Sequence, residues 1–104
     1  MKEVFIIHSL KLEKEAMEHE RSIKKTCYIP GRDTKQTHGD DILRQNLNGM
    51  KDCKEVYVIW DNQSMGTLFD MGMAYALGIP IKPIMLAQNR SWVIFFEGKI
   101  NSTI

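Results

Sequence analysis

Apolar and polar residues alternate along the chain in blocks that predict strands and helices in turn. Five short apolar runs are bounded by polar or turn-forming residues and predict strands: residues 4–7, 26–29, 55–60, 81–86 and 92–96. Residues 4–7 are an unbroken apolar run, which is typical of a strand that is buried on both faces of a sheet.

Three segments between these runs have apolar residues at helical spacing. Residues 10–23 are mostly charged with a narrow apolar stripe, and residues 41–52 have an amphipathic helical pattern. Residues 67–77 are apolar on nearly every side, which predicts a helix buried on more than one side. Residues 30–40 hold no hydrophobic residue after Pro30 and are predicted to be the longest loop.

This alternation of strands and helices predicts an α/β fold. The expected sheet has four to five mostly parallel strands, with right-handed connections and helices on both faces. Such sheets bind ligands beyond the carboxyl ends of their strands, where the following helices begin. Residues 8–11 (HSLK) and 61–67 (DNQSMGT) follow strands directly and have the composition of an anion-binding cradle. We therefore expect a ligand site between these two loops.

Length and charge limit the partners. The chain has 104 residues and is expected to form a single domain, 1–104. Lys plus Arg is 14 and Asp plus Glu is 13, a balance that argues against a nucleic-acid polymer or a membrane surface as partner. Without a signal-peptide pattern or a long apolar segment, a cytoplasmic location is expected.

A chain this short buries a modest share of its surface, so self-association is also expected. The expected state is a homodimer or a higher homo-oligomer, with the apolar second and third helices or residues 92–98 at the interface. Cys27 and Cys53 lack the spacing of a metal site and are expected to be reduced thiols in or near the core. No metal and no cofactor is expected.

Asp70 is an acid within an otherwise apolar helical segment. One explanation is capping, because residues 67–70 (TLFD) fit a capping box with Thr67 at the N-cap and Asp70 at N3. The other explanation is chemical, because apolar surroundings would desolvate the carboxylate and raise its pKa, as active sites often do. The two explanations are compatible.

The segment SMGTLFDMGMAYALGIPI, residues 64–81, resembles the Ser-x-Gly-x-x-x-(Glu/Asp)-x-Gly-x-Ala-x-(Ala/Leu) signature of the nucleoside 2-deoxyribosyltransferase family, which includes the deoxynucleoside 5'-monophosphate N-glycosidases. The resemblance extends back through residues 47–61 and, more weakly, to residues 4–9. It implies a flavodoxin-like, Rossmann-like three-layer fold and a nucleoside or nucleotide as the small-molecule ligand. It also implies cleavage or transfer at the N-glycosidic bond.

The resemblance also implies roles for single residues. The family's nucleophile is a carboxylate at the position of Asp70, usually a glutamate, which attacks C1' and forms a glycosyl ester that water or a second base then cleaves. Ser64 and Ser9 match serines that hold the 5'-phosphate, and Gly66 matches a glycine that lets the loop approach the sugar. Asp61 loosely matches acids that the transferases keep after this strand.

Two positions depart from the family pattern. Asp70 is one methylene shorter than glutamate, and Asn46 stands where the family often has an acid near the base. Asn46 could hold a base edge but cannot act as a general acid at neutral pH, which leaves Asp40 or Asp41 as substitutes. His8 could donate to a phosphate or act as an acid, or it could be a partly exposed loop residue.

Two further expectations concern residues outside the signature's polar positions. Arg32, Lys35 and His38 could close over a phosphate or form ordinary solvated surface. Met71 and Tyr75 are expected to belong to the core rather than to the site.

Three classes of function remain open from the sequence. The first is an N-glycosidase or deoxyribosyl transferase with a carboxylate nucleophile. The second is a non-catalytic nucleotide-binding or sensing module on the same fold, which the aspartate at position 70 and Asn46 keep open. The third is a structural or interaction domain without a small ligand.

Overall fold

The computed structural model describes residues 2–60 and 64–86. Their strands form one parallel sheet, in the order β2-β1-β3-β4. The strands are β1 (Val4–Ile7), β2 (Cys27–Tyr28), β3 (Glu55–Trp60) and β4 (Ile81–Leu86). The predicted parallel α/β sheet is therefore confirmed, while the predicted strand at residues 92–96 lies outside the described residues.

The helices that connect these strands correspond to the three predicted helical segments, with one addition. They are α1 (Glu13–Ile23), α2 (Pro30–Asp33), α3 (Gly39–Lys51) and α4 (Met65–Ala76), and a 3₁₀ turn at Leu10–Leu12 precedes α1. The addition is α2, in the segment predicted to be a loop. Pro30 fits its first position because the first residues of a helix need no backbone N–H donor.

Two apolar clusters lie on opposite faces of the sheet, which makes the fold three-layered. On one face the sheet packs against α3 and α4, through residues that include Phe5, Ile7, Val56, Val58, Met50, Met71 and Ala74. On the other face it packs against α1, through residues that include Val4, Ile6, Ile59 and Ala16. Successive residues of β1 alternate between the two clusters, as the pleat of a strand requires. The cysteines are free and buried, as expected, one in each cluster.

The two central strands place the ligand edge of the sheet. β1 and β3 pair in parallel from Val4↔Glu55 to Ile7↔Val58, so the segments that follow these two strands leave the sheet at the same edge. β2 lies beyond β1 and β4 beyond β3, and the strand order therefore reverses between the central pair. Open α/β sheets form their ligand crevice at such a switch point.

Helix α4 buries one face and exposes apolar residues on the other. Its buried residues are Thr67, Asp70, Met71 and Ala74. The expectation of burial on more than one side is wrong, since Met65, Leu68, Phe69 and Tyr75 are exposed. Met71 is a core residue as expected, whereas Tyr75 is 64% exposed. The homo-oligomer stays a prediction.

Candidate active site at the carboxyl edge of the sheet

A cavity of about 230 Å³ opens beyond the carboxyl ends of β1 and β3. Its wall includes every predicted site residue that the structure describes, namely His8, Ser9, Asn46, Ser64, Gly66 and Asp70. Asp61, the remaining predicted site residue, lies outside the described residues. Segments far apart in the sequence therefore meet at the edge where the strand order predicts a ligand.

Helix α4 begins earlier than the capping-box pattern predicts. Its N-cap is Ser64, whose Oγ accepts a hydrogen bond of 3.3 Å from the backbone N–H of Thr67. Thr67 is therefore inside the helix, and the first turn contains no acid. Asp70 lies in the second turn, beyond the N–H groups that a capping side chain satisfies. The capping explanation of Asp70 is wrong.

Asp70 is a buried carboxyl on the cavity wall. Its side chain is on the buried face of α4, and the residue is only 5% exposed. No ion pair to Asp70 occurs within residues 2–60 and 64–86. Burial raises the pKa of Asp70 to about 7, although a hydrogen bond from Asn46 lowers it in part. Near neutral pH the group is consequently divided between carboxylic acid and carboxylate.

Asn46 faces Asp70 across the interface of α3 and α4. Its Nδ2 lies 3.4 and 3.5 Å from the two carboxyl oxygens of Asp70. Its Oδ1 accepts a hydrogen bond of 2.5 Å from the hydroxyl of Thr34, and the residue is 4% exposed. The amide is therefore a donor to the acid, at the long hydrogen-bond distances that are common in sites without a ligand.

His8 is not the partly exposed loop residue that one interpretation predicts, since it is 5% exposed. Its Nε2 accepts a hydrogen bond of 3.1 Å from the N–H of Gly31, so the ring proton is on Nδ1, which donates to the carbonyl of Ser9 at 2.7 Å. Burial lowers the pKa of His8, which keeps the ring neutral. Both nitrogens are occupied by backbone, and this arrangement leaves no N–H for a phosphate. Through these two hydrogen bonds His8 instead connects the loop after β1 to the start of α2.

Ser9 brings a hydroxyl to the cavity. It is 7% exposed, and its Oγ has no hydrogen-bond partner among the described residues. It stands at the start of the 3₁₀ turn, but its side chain does not cap that turn. A buried hydroxyl without a partner is unfavourable by about 1–3 kcal/mol, and a ligand oxygen in the cavity would remove that cost.

The acids proposed as substitutes for Asn46 are elsewhere. Asp40 pairs with Arg44 at 2.6 Å on the exposed side of α3, and Asp41 accepts hydrogen bonds from Thr37 and Gln45. Neither lines the cavity.

Two members of the predicted basic group, Arg32 and His38, have partners outside the cavity. Arg32 binds Glu20 and Asp33, at 2.6 and 2.9 Å. His38 is the N-cap of α3. Neither residue lines the cavity, so neither closes over it.

The cavity wall also includes residues that were not predicted as site residues, namely Pro30, Gln36, Ile42 and Leu43, together with Leu10 of the predicted cradle at residues 8–11. Gln36 is held by its Nε2, which donates to the carbonyls of Pro30 and Thr34 at 3.2 and 3.0 Å. Pro30 is the one sequence signal for this wall. Proline is common at the first position of a helix, so it could have indicated that α2 begins here.

Comparisons with known proteins agree with the architecture. The sequence matches no protein-family model and no curated protein. A solved structure of the CMP N-glycosidase BcmB of Clostridium botulinum is similar, with a TM-score of 0.63 and 21% sequence identity, over 96% of this chain and 84% of that chain. At this identity the likeness shows the flavodoxin-like α/β fold.

Proposed function

We propose that the protein cleaves or transfers at the N-glycosidic bond of nucleosides or their 5'-monophosphates, with Asp70 as the nucleophile. The observation that carries this proposal is the state of Asp70, a buried carboxyl on a cavity wall that has no capping role and a pKa raised to about 7. Structural acids are normally paired or exposed, whereas burial of this kind is frequent at active sites.

The reaction follows the scheme of a retaining glycosidase. A carboxylate oxygen of Asp70 bonds to C1' of the sugar while the C1'–N bond breaks, and the electron pair of that bond leaves with the base. The carboxylate also stabilises the positive charge that develops on the sugar. Solvent protonates the departing base. Water then displaces the sugar from the ester in hydrolysis, or a second base does so in transfer, and the carboxylate is regenerated.

The phosphate of a nucleotide would lie at the start of α4. Ser64 and Ser9 bring hydroxyls to the cavity there, and the helix N-terminus favours an anion. The protein of similar fold is named for CMP, a nucleoside 5'-monophosphate, which supports the same ligand class here.

A substrate panel tests the proposal. The purified protein is incubated with ribo- and deoxyribonucleosides and their 5'-monophosphates, and free base is measured by liquid chromatography, with a second base added to detect transfer. Release of base from at least one compound supports the proposal. Absence of release, with calorimetric binding of a nucleotide, would instead favour the non-catalytic sensing module. The observation in favour of that second candidate is the carboxyl at position 70, which reaches roughly 1.5 Å less far than a glutamate.

Ser64→Ala is expected to weaken binding of a 5'-monophosphate more than binding of the matching nucleoside. Loss of one hydrogen bond to a charged group is worth about 1.5–3 kcal/mol, or roughly ten- to hundredfold in affinity. Calorimetry on both ligands measures the difference.

The matched control for this change is Ser64→Gly. Glycine also lacks the hydroxyl, but as an N-cap it destabilises the helix by only a few tenths of a kcal/mol. Equal losses in the two variants assign the effect to the phosphate contact, and equal weakening of nucleotide and nucleoside would exclude that contact.

Gly66→Ala is expected to block the ligand without damage to the fold. Among the described residues, a Cβ at Gly66 would meet only the Oγ of Ser64, at 3.6 Å, so this part of the structure has room for the methyl group. Gly66 lies one turn before Asp70, so both residues face the cavity. We expect the affinity for the nucleotide to fall by roughly tenfold or more, which corresponds to a loss of about 1.4 kcal/mol of binding free energy.

Gly72→Ala is the matched control in the same helix. A Cβ there meets no atom of residues 2–60 and 64–86 within 4 Å outside its own helix backbone, and the residue does not line the cavity. Alanine favours a helix over glycine by up to about 1 kcal/mol, so neither substitution should lower the melting temperature. Equal affinities of the two variants would show that the ligand binds elsewhere.

A further inference from the structure

A chain of hydrogen bonds, half-buried at Tyr28 and buried from Thr34 onward, leads to Asp70 from residues that do not line the cavity. The phenol of Tyr28 lies 2.7 Å from the hydroxyl of Thr34, which lies 2.5 Å from Oδ1 of Asn46. Nδ2 of Asn46 then faces both oxygens of Asp70. The proposed reaction scheme assigns no role to Tyr28 or Thr34.

The direction of these hydrogen bonds is determined by chemistry. An ionised carboxylate only accepts, so the amide nitrogen of Asn46 must face Asp70 and the amide oxygen must face Thr34. Thr34 therefore donates its hydroxyl proton to Asn46. The oxygen of Thr34 is then the acceptor for the phenol proton of Tyr28.

Packing holds the members of this chain in place. The ring of Tyr28 stacks on that of Phe5, with centroids 5.1 Å apart and planes 10° from parallel. A Cβ at Gly49 would lie 2.6 Å from the Tyr28 ring, so the ring rests directly on the backbone of α3. Thr34 is 5% exposed and Asn46 is 4% exposed. Exclusion of water strengthens such a network and makes a wrongly oriented member costly.

We propose that Thr34 and Tyr28 are positioning residues for Asp70, acting through the orientation of Asn46. If the amide of Asn46 turned over, its oxygen would face the carboxylate and repel it, and the Thr34 hydroxyl prevents this because it donates to that oxygen. Tyr28 in turn occupies the acceptor site of Thr34, which leaves the Thr34 proton directed at Asn46. This inference rests on the proposed function, since positioning matters to an attacking carboxylate.

The titration of Asp70 can be followed by itself because the titratable groups near it do not change charge in the same pH range. Two titratable groups of the described residues lie near Asp70: His8, which lines the same cavity, and Tyr28, whose pKa is raised first by burial and to a smaller extent by the charge of Asp70. Burial lowers the pKa of His8 and raises that of Tyr28, so both are neutral near pH 7. Removal of the amide donor should raise the pKa of Asp70, because Asn46 is the group that lowers it.

The test compares Thr34→Val, which removes the hydroxyl at constant shape, with Thr34→Ser, which keeps it. The pKa of Asp70 is measured by carbon NMR of labelled aspartate carboxyl groups. The acid limb of the pH profile of kcat/KM is measured in parallel with the nucleotide that gives the most base. We expect Thr34→Val to shift both upward by about 0.5–1 pKa unit, Tyr28→Phe to shift them less, and Thr34→Ser to leave them in place.

Two further variants distinguish positioning from a general effect on the fold. Thr37→Val removes a surface hydroxyl that binds Asp41 outside the cavity, and it should shift nothing. In an Asn46→Ala background, Thr34→Val should add no further shift, because residues that act through one partner are not additive. An unchanged pKa in Thr34→Val, or a shift that persists without Asn46, would overturn the inference. If the pKa of Asp70 shifts in the NMR titration but no base is released from any substrate, the hydrogen-bond chain is supported and the proposed function is rejected.

Discussion

Asp70→Asn is expected to abolish release of base from the preferred nucleotide, while the affinity for that nucleotide stays within about threefold of the original. Asparagine keeps the size of the side chain, but its neutral amide is a poor nucleophile and provides no negative charge opposite C1'. Loss of a nucleophile typically lowers kcat by a factor on the order of 10⁴–10⁶. Single-turnover release of base, followed by liquid chromatography, measures the loss, and calorimetry measures the affinity.

Asp70→Glu is the companion variant. It keeps the carboxylate and extends its reach by one methylene, the length that the resembled family usually has at this position. A gain in base release would mean that the site is complete and its nucleophile short. Base release that survives in Asp70→Asn would refute the nucleophile.

Stability should depend on pH through the same residue. The folded-state pKa of Asp70 is about 7, against an ordinary value of 3.8, so between these values the folded protein binds the proton that the unfolded chain has lost. The contribution of Asp70 to the free energy of unfolding is thus complete below about pH 4 and is lost as the pH rises to about 7. The difference corresponds to roughly 4 kcal/mol, at about 1.36 kcal/mol for each pKa unit.

A comparison with Asp70→Asn isolates this contribution from that of other acids. Glu20 and Asp33 have lowered pKa values and act in the opposite direction in acid. We expect urea denaturation to show the Asn variant more stable than the original at pH 8 and equal to it near pH 4. Asp41→Asn is the control, because the hydrogen bond from Thr37 lowers the pKa of Asp41. Removal of this carboxylate should not increase the free energy of unfolding at pH 8. If the free energies of unfolding of Asp70→Asn and of the original protein differ by the same amount at all pH values, the pKa of Asp70 is not raised in the folded protein.

The strands could be predicted closely because their signal is local. Residues 4–7, 55–60 and 81–86 are strands with the predicted bounds, since each is a short, mostly apolar run that follows a charged or turn-forming residue. The start of α4 could not be decided in the same way. Thr67 fits a capping box, but Ser64 also precedes an apolar segment as a good N-cap, and the packed structure selects Ser64.

The candidate site was predictable only where it follows directly from strand order and from the signature that the sequence resembles. Ser9, Ser64 and Asp70 belong to segments that leave neighbouring strands or open the next helix, so their meeting at one cavity follows from the parallel sheet. Tyr28 and Thr34 carry no comparable signal, because their connection to Asn46 depends on how α3 packs over β2. The occupied nitrogens of His8 likewise depend on a contact with Gly31 across the fold.

The early start of α4 also has a consequence for the choice between isomers of a ligand. Ser64 caps this helix and Asp70 lies in its second turn, about 9 Å further along the axis, with a side chain that leans back toward the start. A single helix joins the two positions, so their separation cannot adjust as it could between two loops. In the proposed binding mode the phosphate and C1' must match that fixed separation. A nucleoside 3'-monophosphate has the same charge and the same bond to the base but a different direction from phosphate to C1'. Discrimination between the 5' and 3' isomers would then be a property of the helix itself, independent of any side chain that contacts the base.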